Sequence, residues 1–212
     1  MTPLVDPRGM WVKVDGVTRP DDALAAVEAG VSAVGMIFAP SSRRVTLEQA
    51  KVVRDAIPDG VAAFGVFDDS APREVGEIAE ALRLDGVQFP APLVAGRFLP
   101  DGVLVLRTVR VRDAQDLTEI DRLACDAVHL DAYVEGQLGG TGVVAPWDVI
   151  ETNRPVVPFV ISGGLRPENV TEAVRRLHPV GVDVSSGVET EPGLKDAEAM
   201  RAFVAAARGS HG

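Results

Sequence analysis

Hydrophobic and polar positions along the chain follow two periods in turn. Short apolar runs, several with every second residue polar, are each followed by a longer stretch whose apolar residues recur every three or four positions. Trp11-Val12-Lys13-Val14-Asp15 reads as a first strand and Gly16-Val17-Thr18 as a turn. Arg19-Pro20-Asp21-Asp22 then starts a helix that runs to Ala29 and is stopped by Gly30. The unit recurs with a strand over 33–38 and a helix over 46–57, where Thr46 suits the N-cap and Glu48 the first turn. A third strand over 61–67 is closed by Asp68-Asp69-Ser70 before a helix over 72–82. The fourth, 86–89, leads into Pro90-Ala91-Pro92 and a weak helical pattern through Phe98. Strand 103–106 and helix 113–123 come next, then strand 127–131, a Gly-rich loop over 136–142 and a short helix over 146–151. The seventh strand, 156–161, stops at Ser162-Gly163-Gly164, and Pro167-Glu168-Asn169 opens a helix over 170–177. An eighth strand, 180–184, ends in Ser185-Ser186-Gly187, and a last helix covers 195–207.

Eight strand-helix units in 212 residues are close to the minimum for a closed barrel, so the expected class is α/β and the fold a single (βα)8 barrel over 1–212, its polar tail 208–212 frayed. A doubly wound sheet would want a Gly-rich dinucleotide fingerprint after the first strand, which Asp15-Gly16-Val17-Thr18 does not supply. Composition narrows the class further. With 46% hydrophobic and 25% charged residues the chain reads as globular. A net charge of −10 without a basic stripe argues against a nucleic-acid partner. One cysteine, Cys125, excludes an internal disulfide framework and a cysteine-rich zinc site. No run is long or apolar enough for a membrane span or signal peptide, so a cytoplasmic protein without a membrane partner is expected.

Barrels of this kind do their chemistry at the C-terminal strand ends. The polar residues there are Asp15, Ser41, Arg43, Arg44, Gln88, Arg107, Asp131 and Asp183. Asp15 and Asp131 come from opposite sides of the mouth, where two carboxyl groups with different pKa values can donate and accept protons on one substrate. The turns at Gly163-Gly164 and Ser185-Ser186-Gly187 follow adjacent parallel strands, and small residues there let backbone N–H groups approach a phosphate. His129, His178 and His211 are scattered and form no cluster with a cysteine, so each is expected to be structural and no metal or cofactor is expected.

Several of these stretches resemble the phosphoribosylanthranilate isomerase family, the tryptophan-biosynthesis barrel that performs an Amadori rearrangement. Lys13-Val14-Asp15-Gly16-Val17-Thr18 is similar to the family's opening strand, and Gly35-Met36-Ile37-Phe38 to its second. Leu138-Gly139-Gly140-Thr141-Gly142 is similar to the loop after its catalytic aspartate, which falls on Asp131. Gly163-Gly164-Leu165 with Pro167-Glu168-Asn169, and Gly181 through Glu189, resemble its phosphate end. The resemblance implies a phosphorylated sugar substrate, a monomer or homodimer, Asp131 as acid, and phosphate on Gly163, Gly164, Ser185, Ser186 and Gly187. It implies a substrate carboxylate on Arg44 or Arg43, and it adds Gln88, Arg107, Gly140 and Asp183 as further substrate-site candidates. Two departures stand out: Asp15 occupies the place of the family's general-base cysteine, and Gln88 is followed by Phe89-Pro90-Ala91 instead of Leu-His-Gly. An aspartate at its reference pKa of about 3.9 is ionised at neutral pH without help. A related histidine-pathway barrel uses aspartates at both positions on a bis-phosphorylated substrate, but Asp68-Asp69-Ser70 would repel a second phosphate. A diverged paralogue acting on another phosphorylated aminoaldose, and a non-catalytic phosphate-binding barrel, are the alternatives.

Overall fold

The computed structural model describes residues 4–68, 72–90, 98–118, 120–132 and 144–209. Eight parallel strands close into a barrel: β1 (Trp11–Asp15), β2 (Ala33–Ile37), β3 (Ala62–Val66), β4 (Gly86–Pro90), β5 (Leu104–Val111), β6 (Ala127–Ala132), β7 (Phe159–Ile161) and β8 (Gly181–Val184). Closure comes from β1 pairing with β8, Trp11 opposite Gly181 through Val14 opposite Val184. The helices are α1 (Pro20–Ala29), α2 (Leu47–Asp55), α3 (Pro72–Leu82), α4 (Trp147–Thr152), α5 (Val170–Leu177) and α6 (Ala197–Gly209). No helix among the described residues is long and apolar enough to cross a membrane.

The period-two pattern decides which side chains face in. Residues such as Val12, Val14, Val34, Met36, Val128, Leu130, Val182 and Val184 are buried in the main core against the helices. The alternate positions fill the barrel in layers. At the lower end Trp11, Ala33, Phe64, Leu106, Ala127 and Val160 form a second apolar cluster, with Trp11 and Phe64 edge to face at 5.8 Å. Above them the interior turns polar, with Lys13, Gln88, His129 and Asp183 all buried.

Some helix ends follow the local chemistry. Thr46 caps α2 in a reciprocal box with Gln49, and Gly30 ends α1 in the left-handed conformation. On α5, Val170, Ala173, Val174 and Leu177 form one buried stripe. Four expectations need correction. The helix over 113–123 is instead two short 3-10 turns, Ala114–Leu117 and Ile120–Arg122, because Asp113 and Asp116 box the first turn and Thr118 then becomes extended. Strand β5 reaches Val111, since Arg107 to Val111 continue the ladder with β6. Strand β7 starts only at Phe159, after a proline that lacks a donor. Arg208 and Gly209, expected in the tail, belong to α6. The weak pattern after Pro90 falls mostly, and the Gly-rich loop 136–142 wholly, outside the described residues. An unforeseen antiparallel hairpin, β9 (Glu189–Glu191) with β10 (Leu194–Lys195), follows β8 beyond a 3-10 turn over Ser186–Val188.

Candidate active site

The inward positions at the C-terminal strand ends meet in one mouth. A cavity of about 70 Å³ is lined by Asp15, Arg43, Gln88, His129, Asp131, Asp183 and Ser185, among others. Asp131, Ser162, Asp183 and Ser185 also line the adjoining cradle formed by Gly163, Gly164, Ser186 and Gly187. Gly163 and Gly164 have φ of +83° and +64°, a backbone that side-chain-bearing residues resist.

Lys13 is the centre of the polar layer. Its side chain is fully buried, and Nζ donates to Gln88 Oε1 at 2.8 Å and Asp183 Oδ2 at 2.9 Å. Asp15 Oδ1 lies 2.6 Å from the same ammonium, as an ion pair off hydrogen-bond alignment. His129 Nε2 lies 2.7 Å from Asp183 Oδ2. An ionised carboxylate only accepts, so Nε2 carries the hydrogen. Gly35 makes room for this group, because a Cβ there would collide with Asp15 Oδ1. Asp15, His129 and Asp183 could by spacing surround a metal ion, but the Lys13 ammonium already supplies a cation between the two carboxylates.

These contacts separate the three acids. Burial and the neighbouring Asp183 charge push Asp15 up to about 7, and Lys13 offsets them only in part. Burial also opposes the charge on Asp183, yet Lys13 and His129 hold its carboxyl below the usual range. Burial raises Asp131, against a weaker lowering influence of His129. The expectation that Asp15 ionises like a free aspartate is therefore corrected: desolvation sets its value, which sequence alone did not reveal.

Arg43 lines the mouth and is buried, whereas Arg44 is exposed and turned away. Arg44 sits on the rim of the larger cavity, about 750 Å³, between α2 and α3 beside Phe38, Glu74 and Ile78. Size does not make that cavity the reactive one, because the two carboxyl groups with raised pKa values, Asp15 and Asp131, both line the mouth. Arg107 also lies outside the mouth. Leu106 is in the inner cluster and Thr108 and Arg110 line the mouth, so parity turns Arg107 outward, its guanidinium 4.8 Å from the Phe89 ring centroid. Gly140 is outside the described residues. Sequence reasoning missed Lys13, Thr108 and Arg110 and took His129 as structural. Period two was the available signal, since Lys13 shares a face with Asp15, and His129 with Asp131.

The chain matches the family model for N-(5'-phosphoribosyl)anthranilate (PRA) isomerase over residues 12–206. It is 44% identical over 202 residues to N-(5'-phosphoribosyl)anthranilate isomerase of Rubrobacter xylanophilus, covering 93% of this chain and 98% of the relative. The Azotobacter vinelandii isomerase is 43% identical over 195 residues, 91% of this chain and 94% of its own. Among solved structures, the isomerase of Thermotoga maritima superposes with a TM-score of 0.83 at 33% identity, covering 94% of this chain and 99% of that one. An isomerase in complex with reduced 1-(o-carboxyphenylamino)-1-deoxyribulose 5-phosphate superposes at 0.80 with 32% identity over the same shares. The family model and the relatives both span nearly the whole chain, strand-helix units and mouth included, and the chain belongs to the N-(5'-phosphoribosyl)anthranilate isomerase family.

Proposed function

We propose that this chain converts N-(5'-phosphoribosyl)anthranilate to 1-(2-carboxyphenylamino)-1-deoxyribulose 5-phosphate, the isomerisation of tryptophan biosynthesis, with Asp131 as general acid and Asp15 as general base. The observation that carries the assignment of roles is that two carboxyl groups with raised pKa values, one buried and one half-buried, line one mouth that opens onto the Gly/Ser cradle. Asp131, held by the Ala132 backbone N–H at 2.8 Å, keeps its proton and gives it to the furanose ring oxygen. The C1–O bond then breaks as the anilino nitrogen lone pair forms the C=N bond. Asp15 takes the C2 proton, the electrons return to nitrogen, and an enolamine results. Protonation at C1, with loss of the C2 hydroxyl proton, then gives the ketone. Each step moves protons and internal electron pairs only, so no redox partner is required.

The substrate phosphate rests on the backbone donors of Gly163, Gly164, Ser185, Ser186 and Gly187, and the anthranilate carboxylate on Arg43 in preference to Arg44. Asp68 lines the mouth on the side away from this cradle, which disfavours a second phosphate there. Substrate generated in situ and followed by loss of its fluorescence tests the reading, with the bis-phosphorylated histidine-pathway substrate run beside it. Turnover of the latter alone would overturn it.

A further inference from the structure

The unforeseen β9–β10 hairpin carries a buried charge array with no part in the steps above. Glu189 takes Arg43 side-on: Nε donates to both carboxylate oxygens at 2.8 and 3.0 Å, and Nη2 donates to Oε2 at 2.6 Å. The other oxygen, Oε1, accepts from Lys195 Nζ at 2.7 Å and from the Gly193 backbone at 3.3 Å. Lys195 also donates to the Ser185 carbonyl at 3.1 Å, and its side chain is wholly buried. Ser185 belongs to both the mouth and the cradle. Thr18, in the loop after β1, donates to the Gly193 carbonyl at 2.9 Å and ties down the hairpin tip.

A guanidinium has five N–H donors in a flat fork. Glu189 uses the Nε side, which leaves the Nη1/Nη2 edge, and Arg43 lines the mouth. Nη1 on that edge donates to Ser42 Oγ only across a long 3.5 Å, and the edge still matches a second carboxylate two-to-two. The array holds two cations and one anion, so a substrate anion would complete its charge.

We propose that Glu189 is a positioning residue: braced on the β9–β10 hairpin by Lys195, it locks Arg43 with its end-on edge toward the substrate carboxylate. The inference rests on the reading that Arg43 binds the carboxylate. Two opposing expectations make it testable. If charge alone mattered, Glu189→Gln would leave the array more positive and tighten binding of an anionic substrate. If fixing the fork matters, the same change weakens binding.

The test is a double-mutant cycle of Arg43→Met, Glu189→Gln and the pair, reading KM and kcat for N-(5'-phosphoribosyl)anthranilate and the inhibition constant of inorganic phosphate. Arg43→Met should raise KM by about tenfold or more. Glu189→Gln alone should raise KM several-fold while kcat and phosphate inhibition change by less than about threefold. The double variant should bind no worse than Arg43→Met. Retained phosphate inhibition also shows that the protein is folded, and Glu189→Asp should recover part of the loss. An unchanged KM in Arg43→Met removes the carboxylate reading itself. A raised KM in Arg43→Met with an unchanged or lowered KM in Glu189→Gln removes only the role of Glu189. So does a Glu189 penalty that persists in full without Arg43, or one that comes with equal loss of phosphate inhibition.

Discussion

Asp15 and Asp183 sit on the same ammonium, yet burial and mutual repulsion leave one poised near neutrality and the other firmly ionised. For a base that must take a proton from carbon and pass it on, a pKa near the working pH serves both halves of the task. Asp15→Asn should therefore keep phosphate inhibition but lower kcat by about 10²- to 10⁴-fold. Asp15→Cys should recover part of that loss. A near-wild-type rate in Asp15→Asn, with Asp131→Asn dead, would move the base elsewhere. The acidic limb of kcat/KM should lie near pH 7 in the wild type, well above an ordinary carboxylate, and should move higher still in Asp15→Cys. The same shift acts on stability. Folding raises the Asp15 pKa, so the folded state holds that proton more tightly than the unfolded chain does. The resulting stabilisation is complete below the unfolded value of about 4 and disappears as pH rises through about 7. Asparagine resembles the protonated acid and carries no such dependence, so Asp15→Asn should gain on the wild type in urea midpoint between about pH 4 and 7 and level off above. A gap independent of pH would mean that Asp15 ionises normally in the folded protein.

Each strand was legible as an element, but its orientation had to be read two residues at a time. In β1 and β6 a polar residue stands between apolar neighbours, and the structure turns Lys13 and Asp15, or His129 and Asp131, to the inside. The same rule removes Arg107 from the mouth and adds Arg110, which lies one face away in a strand longer than its apolar run suggested. Helix α5 was plain because its buried residues repeat at three and four. The segment over 113–123 misled because Leu117 and Ile120 are both buried at helical spacing while Asp113, Asp116 and Thr118 satisfy the backbone locally. The hairpin after β8 left no readable trace, since Glu189 to Lys195 is too short and polar for a strand pattern. At the ends of β7 and β8 the small-residue turns were visible at once, and they carry their own test. Gly164 combines positive φ with a place in the cradle, so Gly164→Asp should raise KM and weaken inhibition by inorganic phosphate, through both strain and a misplaced negative charge. Unchanged constants in that variant would take the phosphate away from this turn.

Over the whole molecule, apolar positions point outward to the helices while the inside of the barrel changes from apolar to polar toward the mouth. Alternating strand and helix units specify such a barrel, but they do not show how its first and last segments are fastened. The structure does so with one acid beneath the barrel. Asp6 pairs with Arg8 at 2.7 Å and with Arg208, near the end of α6, at 3.0 Å. Ser32 donates to the same carboxylate and also receives the Val12 N–H of β1 at 2.9 Å, while Arg8 reaches the Val31 carbonyl at 3.1 Å. The N-terminal segment, the starts of β1 and β2, and the last helix thus share one anchor. Burial opposes the charge on Asp6, but hydrogen bonds from Arg8 and Ser32 hold its pKa down at about 2. A lowered folded value means stability that is present above the unfolded pKa of about 4 and lost as pH falls through about 2. Asp6→Asn should cost about 1–3 kcal/mol at neutral pH, because it leaves buried donors partly unmatched and two arginines without their charge partner. Its deficit against the wild type should shrink as pH is lowered from about 4 toward 2. Urea unfolding at several pH values measures both quantities, and a deficit that stays constant down to the lowest pH would show that the anchor works through shape alone and not through the charge on Asp6.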